Sequence, residues 1–150
     1  MAVIGMPGGH PVLVLDTNIV LDLLVFQDRS AASLMQALAH DDVHWLTTEA
    51  MRAELERVLA YPHIAARLHT RGLCPKDVLA QYQRLSDNRI AASASTVRCS
   101  DPDDQIFIDL AVAHQATLLS KDHAVLRLRK RLAVSGVLVQ AAWGRPHAVP

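Results

Sequence analysis

The chain has 150 residues, of which 51% are hydrophobic and 20% charged, and this composition excludes a disordered chain and predicts one globular domain with a substantial core. Fifteen basic residues balance fifteen acidic ones, so the whole molecule has no field that attracts a polyanion or an anionic membrane. A nucleic-acid site must therefore be a local patch. The start MAVIGMPGGH lacks the basic flank and apolar stretch of a signal peptide, and no run reaches membrane-spanning length. We expect a flexible lead over residues 1–10 and a cytoplasmic location.

The first predicted elements are a buried strand and a helix. Residues 12–15 are all apolar, which is typical of a strand that is covered on both faces. A helix is predicted from near Thr17, where the apolar spacing changes to that of a helix. Residues 30–40 predict a second helix with Ser30 as its N-cap, and residues 43–47 predict a second short strand.

The middle of the chain is predicted to be helical. The stretch TTEAMRAELERVLAYP has one apolar face and ends before Pro62, which cannot continue a helix. Residues 63–86 predict two further helices, separated near Gly72 and Pro75. The small polar residues 87–100 predict a loop.

The last third returns to alternating helices and strands. DPDDQIFIDLAVAHQA predicts a helix with Pro102 in its first turn, and TLLS predicts a third strand. Asp122 begins another predicted helix, and residues 137–139 predict a fourth strand. Short apolar strands that alternate with helices indicate an α/β fold with a parallel central sheet and helices on both faces, a Rossmann-like three-layer sandwich.

Acidic residues occur where ligands bind in such sheets, outside the carboxyl ends of the strands. Asp16 follows the first strand, Asp104 lies in the first turn of the helix before TLLS, and Asp122 comes two residues after that strand. Glu54 borders the apolar face of its helix and is the acid there that we expect to point inward. An oxygen-only set of ligands suits Mg²⁺ or Mn²⁺, so metal-dependent phosphodiester hydrolysis is the predicted reaction class.

Each acid also has a purely structural explanation. Asp16 and Asp122 can cap helices, the acids from Asp101 to Asp104 suit a first helical turn, and Glu54 can be a solvated charge. A capping Ser or Thr would serve as well, yet acids recur after successive strands of one predicted sheet edge. The joint pattern therefore favours a site.

Four stretches, VLVLDTNIV, TTEAMRAELERVL, DPDDQIFIDLA and LLSKDHAVL, resemble the successive motifs of PIN-domain ribonucleases, in particular the bacterial subgroup of toxin components of toxin-antitoxin systems. The match runs in order from about Val12 to the C-terminal VLVQAAW. This resemblance implies a PIN-like nuclease domain over residues 1–150 that requires Mg²⁺ or Mn²⁺ and acts on single-stranded or structured RNA. It also implies a cognate antitoxin protein as partner and a homodimer.

The resemblance assigns four acids to the catalytic, metal-binding positions: Asp16, Glu54, Asp104 and Asp122. It assigns four further residues to supporting positions: Asn18, Ser120, Asp101 and Asp103. Members of the subgroup often have Arg directly before D-P-D-D, whereas this chain has Ser100, with Arg98 two residues earlier. Asp109 lies roughly 140° around the helix from Asp104, so we expect it either to point outward or to support the metal ligands without binding the metal.

Other features leave alternatives open. The basic residues of the 127–131 segment suit RNA phosphates, but also the last turn of a helix. Trp45 and Trp143 could stack on RNA bases, but we expect both to be anchors in the core or in an interface. A phosphatase that uses Asp16 as nucleophile would need a general acid at position 18, which is Asn. A non-catalytic PIN-like module that binds RNA or protein remains the alternative, and a metal titration separates it from the nuclease.

Overall fold

A five-stranded parallel sheet forms the centre of the computed structural model, which describes residues 10–144. The predicted flexible lead lies outside the described residues except for His10, which is exposed. The strands are β1 (Val12–Leu15), β2 (His44–Thr48), β3 (Asp87–Arg89), β4 (Thr117–Leu119) and β5 (Val139–Gln140). Their spatial order is β3-β2-β1-β4-β5, and every neighbouring pair is parallel.

Eight α-helices and two short 3-10 helices connect the strands of the described chain. The α-helices are α1 (Thr17–Leu24), α2 (Ala32–Ala39), α3 (Glu49–Leu59), α4 (Pro62–Thr70), α5 (Pro75–Leu85), α6 (Gln105–His114), α7 (His123–Leu126) and α8 (Arg129–Val134). The 3-10 helices are Arg29–Ala31 and Pro102–Asp104. No helix within residues 10–144 is long and apolar enough to cross a membrane.

The two faces of the sheet carry separate cores, which confirms the predicted three-layer α/β architecture. Leu13 and Leu15 of β1 pack with apolar residues of α1 to α5, whereas Val14 packs with those of α6 to α8. Successive side chains of a strand point to opposite faces, so a strand in the middle of the sheet must be apolar at every position. The uninterrupted apolar run of β1 follows from this central place.

The ends of the helices follow from local sequence. The side chain of Asp16 accepts a hydrogen bond from Ile19 N at the start of α1, and Thr48 caps α3 in the same way through Met51 N. Pro62 and Pro75 occupy the first turns of α4 and α5, where a missing N–H costs nothing. Gly72, between these two helices, has a φ of +68°, which favours glycine.

Three local predictions were wrong. The predicted loop 87–100 contains β3, whose polar residues pair with β2 through the backbone. Residue 30 is not the cap of α2, because the chain first makes a 3-10 turn that is capped by Asp28. The last strand is Val139–Gln140, later than predicted. These errors lie at the periphery of the sheet and leave its carboxyl edge as expected.

The tryptophans pack as predicted. Trp45 is 2% exposed and meets the ring of Tyr82 edge-on, with 5.1 Å between ring centroids. Trp143 is partly buried against the core on the α1 to α5 side. The buried ring of Trp45 is therefore not free to stack on a base. Cys74 and Cys99 are both free thiols.

Candidate metal centre

The first acid, Asp16, lies at the point where the strand order reverses. From β1 the chain crosses to β2 on one side, and β4 pairs with β1 on the other, so a crevice opens at their carboxyl ends. Asp16 is 3% exposed there. Its Oδ1 accepts from Ile19 N at 3.1 Å, and its Oδ2 accepts from the hydroxyl of Ser120. Each oxygen keeps a second lone pair for another ligand.

The segment after β4 connects the first acid to the last. Ser120 is fully buried, and its Oγ donates to Asp16 while accepting from Asp122 N at 3.1 Å. Asp122 in turn caps α7 by accepting from Ala124 N at 2.8 Å. The Ser120 hydroxyl thus fixes the separation of two acids that are 106 residues apart in sequence. Asp122 can therefore cap α7 and also belong to the site.

The D-P-D-D turn brings Asp104 to the same edge. Asp101 begins the 3-10 helix by accepting from Asp103 N at 3.0 Å, and this tight turn places Asp104 at its end, 8% exposed. One carboxylate oxygen each from Asp101, Asp104 and Asp122 lies within 4.8 Å of the others. The structure thus groups Asp101 more closely with Asp104 and Asp122 than its supporting position in the sequence motif implies.

Glu54 approaches from the opposite wall of a groove of about 280 Å³. The groove is also lined by Asp16, Asn18, Asp103 and Asp104, so Asp104 belongs both to the groove and to the cluster with Asp101 and Asp122. Glu54 is half-buried on α3, as its place beside the apolar face predicts. Asn18 and Asp103 are exposed on the rim. All eight residues selected from the sequence lie around this edge.

Burial raises the pKa of three of these acids, and repulsion from neighbouring acids adds to the rise. Burial, followed by the neighbouring Asp122, raises the pKa of Asp104 to about 8. Burial is also the main cause that raises the pKa of Asp16, against the lowering effect of its bond from Ser120. Burial likewise raises the pKa of Glu54. Without a cation, the fully ionised set is therefore unfavourable at neutral pH.

A divalent cation fits this arrangement. The Oδ2 atom of Asp104 is buried, and when the carboxyl group is ionised no donor in the described chain reaches this oxygen, although buried polar atoms are normally paired. When the group is protonated, it can donate a hydrogen bond to Asp122 instead. A cation among Asp101, Asp104 and Asp122 would satisfy that oxygen and offset the negative charge. The donors are all carboxylate oxygens, which Mg²⁺ and Mn²⁺ prefer.

Comparison with known proteins identifies the family of this chain. The family model described as PIN domain matches residues 12–124, which include all four predicted metal-binding acids. The chain belongs to the PIN-domain family. No curated protein matches its sequence. A solved structure with a similar fold is that of VapBC2 from Rickettsia felis bound to a DNA fragment from their promoter, with a TM-score of 0.60 and 14% identity over 85% of this chain and 96% of that chain.

In this PIN domain, Asp109 supports the loop that leads to the acids. Its Oδ1 accepts from Ser95 N at 3.0 Å and from Gln105 Nε2 at 2.9 Å. Gln105 is buried, donates to Val97 O at 2.9 Å and accepts from Cys99 N at 2.7 Å. The loop is thus held two residues before Asp101. The sequence gives no signal for the role of Gln105, because a glutamine in a first helical turn is ordinary.

Asp109→Asn should therefore retain most of any metal-dependent activity of the domain, within about threefold. Asparagine keeps an oxygen that can accept from Ser95 N and Gln105 Nε2, and the carboxylate charge at this position faces the loop. Activity and melting temperature are measured together. An activity loss as severe as that of Asp16→Asn, in a variant that melts like the wild type, would place Asp109 in the metal centre.

An ion pair beside the centre has no counterpart in the sequence predictions. Asp22, 8% exposed in the apolar helix α1, accepts from the ammonium group of Lys121, which lies between Ser120 and Asp122. The pair joins α1 to the segment that carries the last acid. The signal in the sequence was an acid inside the apolar run IVLDLLV, but its partner, 99 residues away, is visible only in the fold.

Lys121→Met should lower the stability of the PIN domain by about 1 kcal/mol, because it leaves the buried carboxylate of Asp22 without its partner. The lysine side chain is 48% exposed, and solvent screening limits the loss. For about 150 residues this is a fall in melting temperature of roughly 2–4 °C. Asp22→Leu with Lys121→Met removes both charges and should recover part of the loss, whereas an additive double variant would show that the pair contributes nothing.

The basic residues lie away from the acids or at the surface. Arg127, Arg129, Lys130 and Arg131 are all exposed around α7 and α8, and none of them lines the acidic groove. Arg98 and Ser100 are exposed on the supported loop. Neither position adds a charge to the walls of the groove, and the two alternatives for the basic residues, RNA contact or solvated helix charge, both stay open.

Proposed function

We propose that this PIN domain is a Mg²⁺- or Mn²⁺-dependent endoribonuclease and the toxin of a toxin-antitoxin pair. The observation that carries the proposal is the unpartnered, buried Oδ2 atom of Asp104 beside Asp101 and Asp122. Asp16 lies at the same edge, at a distance fixed by Ser120. A structural cap needs none of this convergence, whereas a metal site requires it.

The protein's part in the reaction is to hold these oxygens ready for a cation. When bound, Mg²⁺ or Mn²⁺ supplies an activated water near neutral pH and offsets charge on the attacked phosphate. We assign the ligands to Asp16, Asp104 and Asp122, with Glu54 on the facing wall and Asp101 and Asp103 beside them. Asp104 gives up its proton when the cation binds, so metal affinity should rise with pH.

Ser120 and Asn18 act on the acids and the substrate rather than on the cation. Ser120 donates to Asp16 and accepts from Asp122 N, which keeps the Asp16 carboxylate in one orientation. Asn18 is exposed on the rim of the groove, where its amide can donate to a phosphate oxygen. Both roles position groups without changing the charge of the site.

The proposed partners follow from the same site. One solved structure of similar fold is VapBC2 bound to a DNA fragment from their promoter, and for this chain we propose a cognate antitoxin protein, a homodimer and a cytoplasmic location. An inhibitory antitoxin segment would place Arg or Lys among the acids, in place of the cation's charge. Co-purification from the native host tests the partner: recovery of the chain alone, with no effect of its expression on growth, would reject the toxin role even if cleavage persists.

The test of the enzymatic proposal is an RNA cleavage assay with Mn²⁺, with Mg²⁺ and with a chelator, alongside Asp16→Asn. Cleavage that needs metal and is lost in Asp16→Asn supports the nuclease. Binding of RNA without cleavage, and without binding of Mn²⁺, would instead identify the non-catalytic RNA- or protein-binding module.

A further inference from the structure

The groove that contains the acids continues to a second wall of different chemistry. The same cavity of about 280 Å³ that is lined by Asp16 and Glu54 extends along α3 and the start of α4, where Arg57, Tyr61 and His63 line it. One end of the groove is therefore acidic, and the other offers a cation and two rings. The nuclease proposal accounts for the first end and leaves the second unexplained.

Tyr61 is exposed although its backbone is held rigidly. The residue is 43% exposed, and among the large exposed hydrophobic residues within residues 10–144, namely Tyr61, Ile90, Val134 and Leu138, only Tyr61 lines this groove. Its N–H donates to Val58 O at 3.0 Å, and its carbonyl accepts from Ala65 N at 2.8 Å. Pro62 follows it at the start of α4. The ring thus projects from a fixed turn between two helices, which lowers the entropy cost of binding a flat ligand.

The two neighbours of Tyr61 in the groove complete a binding surface. The His63 ring lies 6.5 Å from that of Tyr61 between centroids, with 33° between the planes, so both aromatic faces border the same space. Arg57 is exposed in the last turn of α3 and forms no ion pair among the described residues. A free guanidinium three residues from Glu54 is well placed to bind a phosphate next to the one held at the acids.

We propose that Arg57, Tyr61 and His63 form a subsite that holds the nucleotide next to the cleaved bond. This inference rests on the proposed nuclease function. Arg57 binds the neighbouring phosphate, and the base stacks on the ring of Tyr61 with His63 beside it. A base must leave its helical stack to reach such a ring, and the bases of a continuous RNA duplex are not accessible in this way.

The groove favours a nucleic acid over a protein segment in this subsite. Its acidic end needs a cation before any anionic ligand can bind, and a phosphate chain brings its charge both to that cation and to Arg57. Stacking on an aromatic ring tolerates every base, so the subsite predicts selection of unpaired RNA with weak preference for sequence. A protein segment that uses the same rings is one outcome of the test below.

The experiment measures binding and cleavage of one labelled RNA, as a single strand and annealed to its complement. Binding is measured in Ca²⁺ and cleavage in Mn²⁺, both with the otherwise wild-type chain. Tyr61→Ala should weaken single-strand binding about 5- to 100-fold, and Tyr61→Phe should restore it. Arg57→Gln should weaken binding and reduce its dependence on salt. Arg84→Gln and Val134→Ala, exposed and outside the groove, are the matched controls.

The outcomes separate the two proposals. Single-strand binding that depends on Tyr61 and Arg57, in a chain that never cleaves, keeps the subsite and rejects the nuclease. Cleavage of single-stranded and duplex RNA at equal rates, or cleavage that Tyr61→Ala leaves unchanged, rejects the subsite and keeps the nuclease. Loss of a co-purified protein partner in Tyr61→Ala, with RNA binding unchanged, assigns the rings to a protein segment and overturns the proposal. An unchanged melting temperature in Tyr61→Phe and Arg57→Gln excludes misfolding as the cause.

Discussion

Amide substitution of any one of the four predicted metal ligands should lower metal-dependent RNA cleavage by roughly 100-fold or more. The variants are Asp16→Asn, Glu54→Gln, Asp104→Asn and Asp122→Asn. The acids share one cation and one field of negative charge, so the loss in a double variant should scarcely exceed that in the worse single one. Initial cleavage rates in Mn²⁺ measure both effects.

The controls for this prediction come from the same helices. Glu56→Gln changes an exposed acid that is only two residues from Glu54 and pairs with Arg52 at 3.6 Å, and it should leave the cleavage rate unchanged. Asp16→Asn preserves the cap of α1, because asparagine is an equally good N-cap residue. Full activity in one of the four singles, at an unchanged melting temperature, would remove that residue from the centre.

Asp104→Asn should also stabilise the metal-free protein, and increasingly so as the pH rises. The folded-state pKa of Asp104 is raised to about 8, mainly by burial and then by Asp122, above an unfolded value of about 3.9. A group with a raised pKa contributes stability that is fully present below the unfolded pKa and is lost as pH rises through the folded pKa. The wild type should therefore lose stability between about pH 4 and pH 8, a loss that asparagine avoids.

The size of this effect is set by the shift in pKa. One pKa unit is about 1.4 kcal/mol, so a gain of at least that amount is expected at pH 8, or roughly 3–6 °C in melting temperature for about 150 residues. Near pH 4 the difference should vanish. The pKa values of Asp28 and Asp77 are lowered in the folded protein, so these two groups add stability as the pH rises. Their contribution is the same in both proteins and cancels when wild type and variant are compared at each pH.

Metal should make the wild type more stable than Asp104→Asn, which reverses the order of their melting temperatures without metal. Mn²⁺ at ten times its dissociation constant adds about 1.4 kcal/mol to the wild type by mass action, and Asp104→Asn should show little of this increment. Thermal unfolding with and without Mn²⁺ measures the change. A variant that melts below the metal-free wild type and still gains the full increment would show that Asp104 neither strains the folded protein nor binds the ion.

The centre of the fold is predictable because local signals and burial agree there. Val12 to Leu15 is apolar at every position, which only a covered parallel strand requires, and Asp16 then caps the helix that follows. β3 was missed for the opposite reason: Asp87, Asn88 and Arg89 have no apolar pattern, and they pair with β2 through their backbones. No propensity of these residues indicates a strand.

The sequence predicts those parts of the site that follow directly from the order of strands in the sheet. Residues after parallel strands meet at one edge, and this rule alone places Asp16 near Asp122. The closeness of Asp101 to Asp104 depends on the 3-10 turn of the D-P-D-D motif. The pairing of Lys121 with Asp22, and the arrangement of Arg57, Tyr61 and His63 along one groove, depend on contacts between helices that no sequence spacing encodes.

The most direct test of the metal centre is the position of Mn²⁺ in crystals of the protein, located by its anomalous scattering. We expect a peak at the carboxyl edge of β1 and β4, within bonding distance of Asp104 Oδ2 and of an oxygen of Asp16 or Asp122. A single fully occupied Mn²⁺ at this edge, or two, agrees with the proposal. A crystal in which Mn²⁺ binds only at exposed acids elsewhere, with Asp104 Oδ2 still unpartnered, would contradict it.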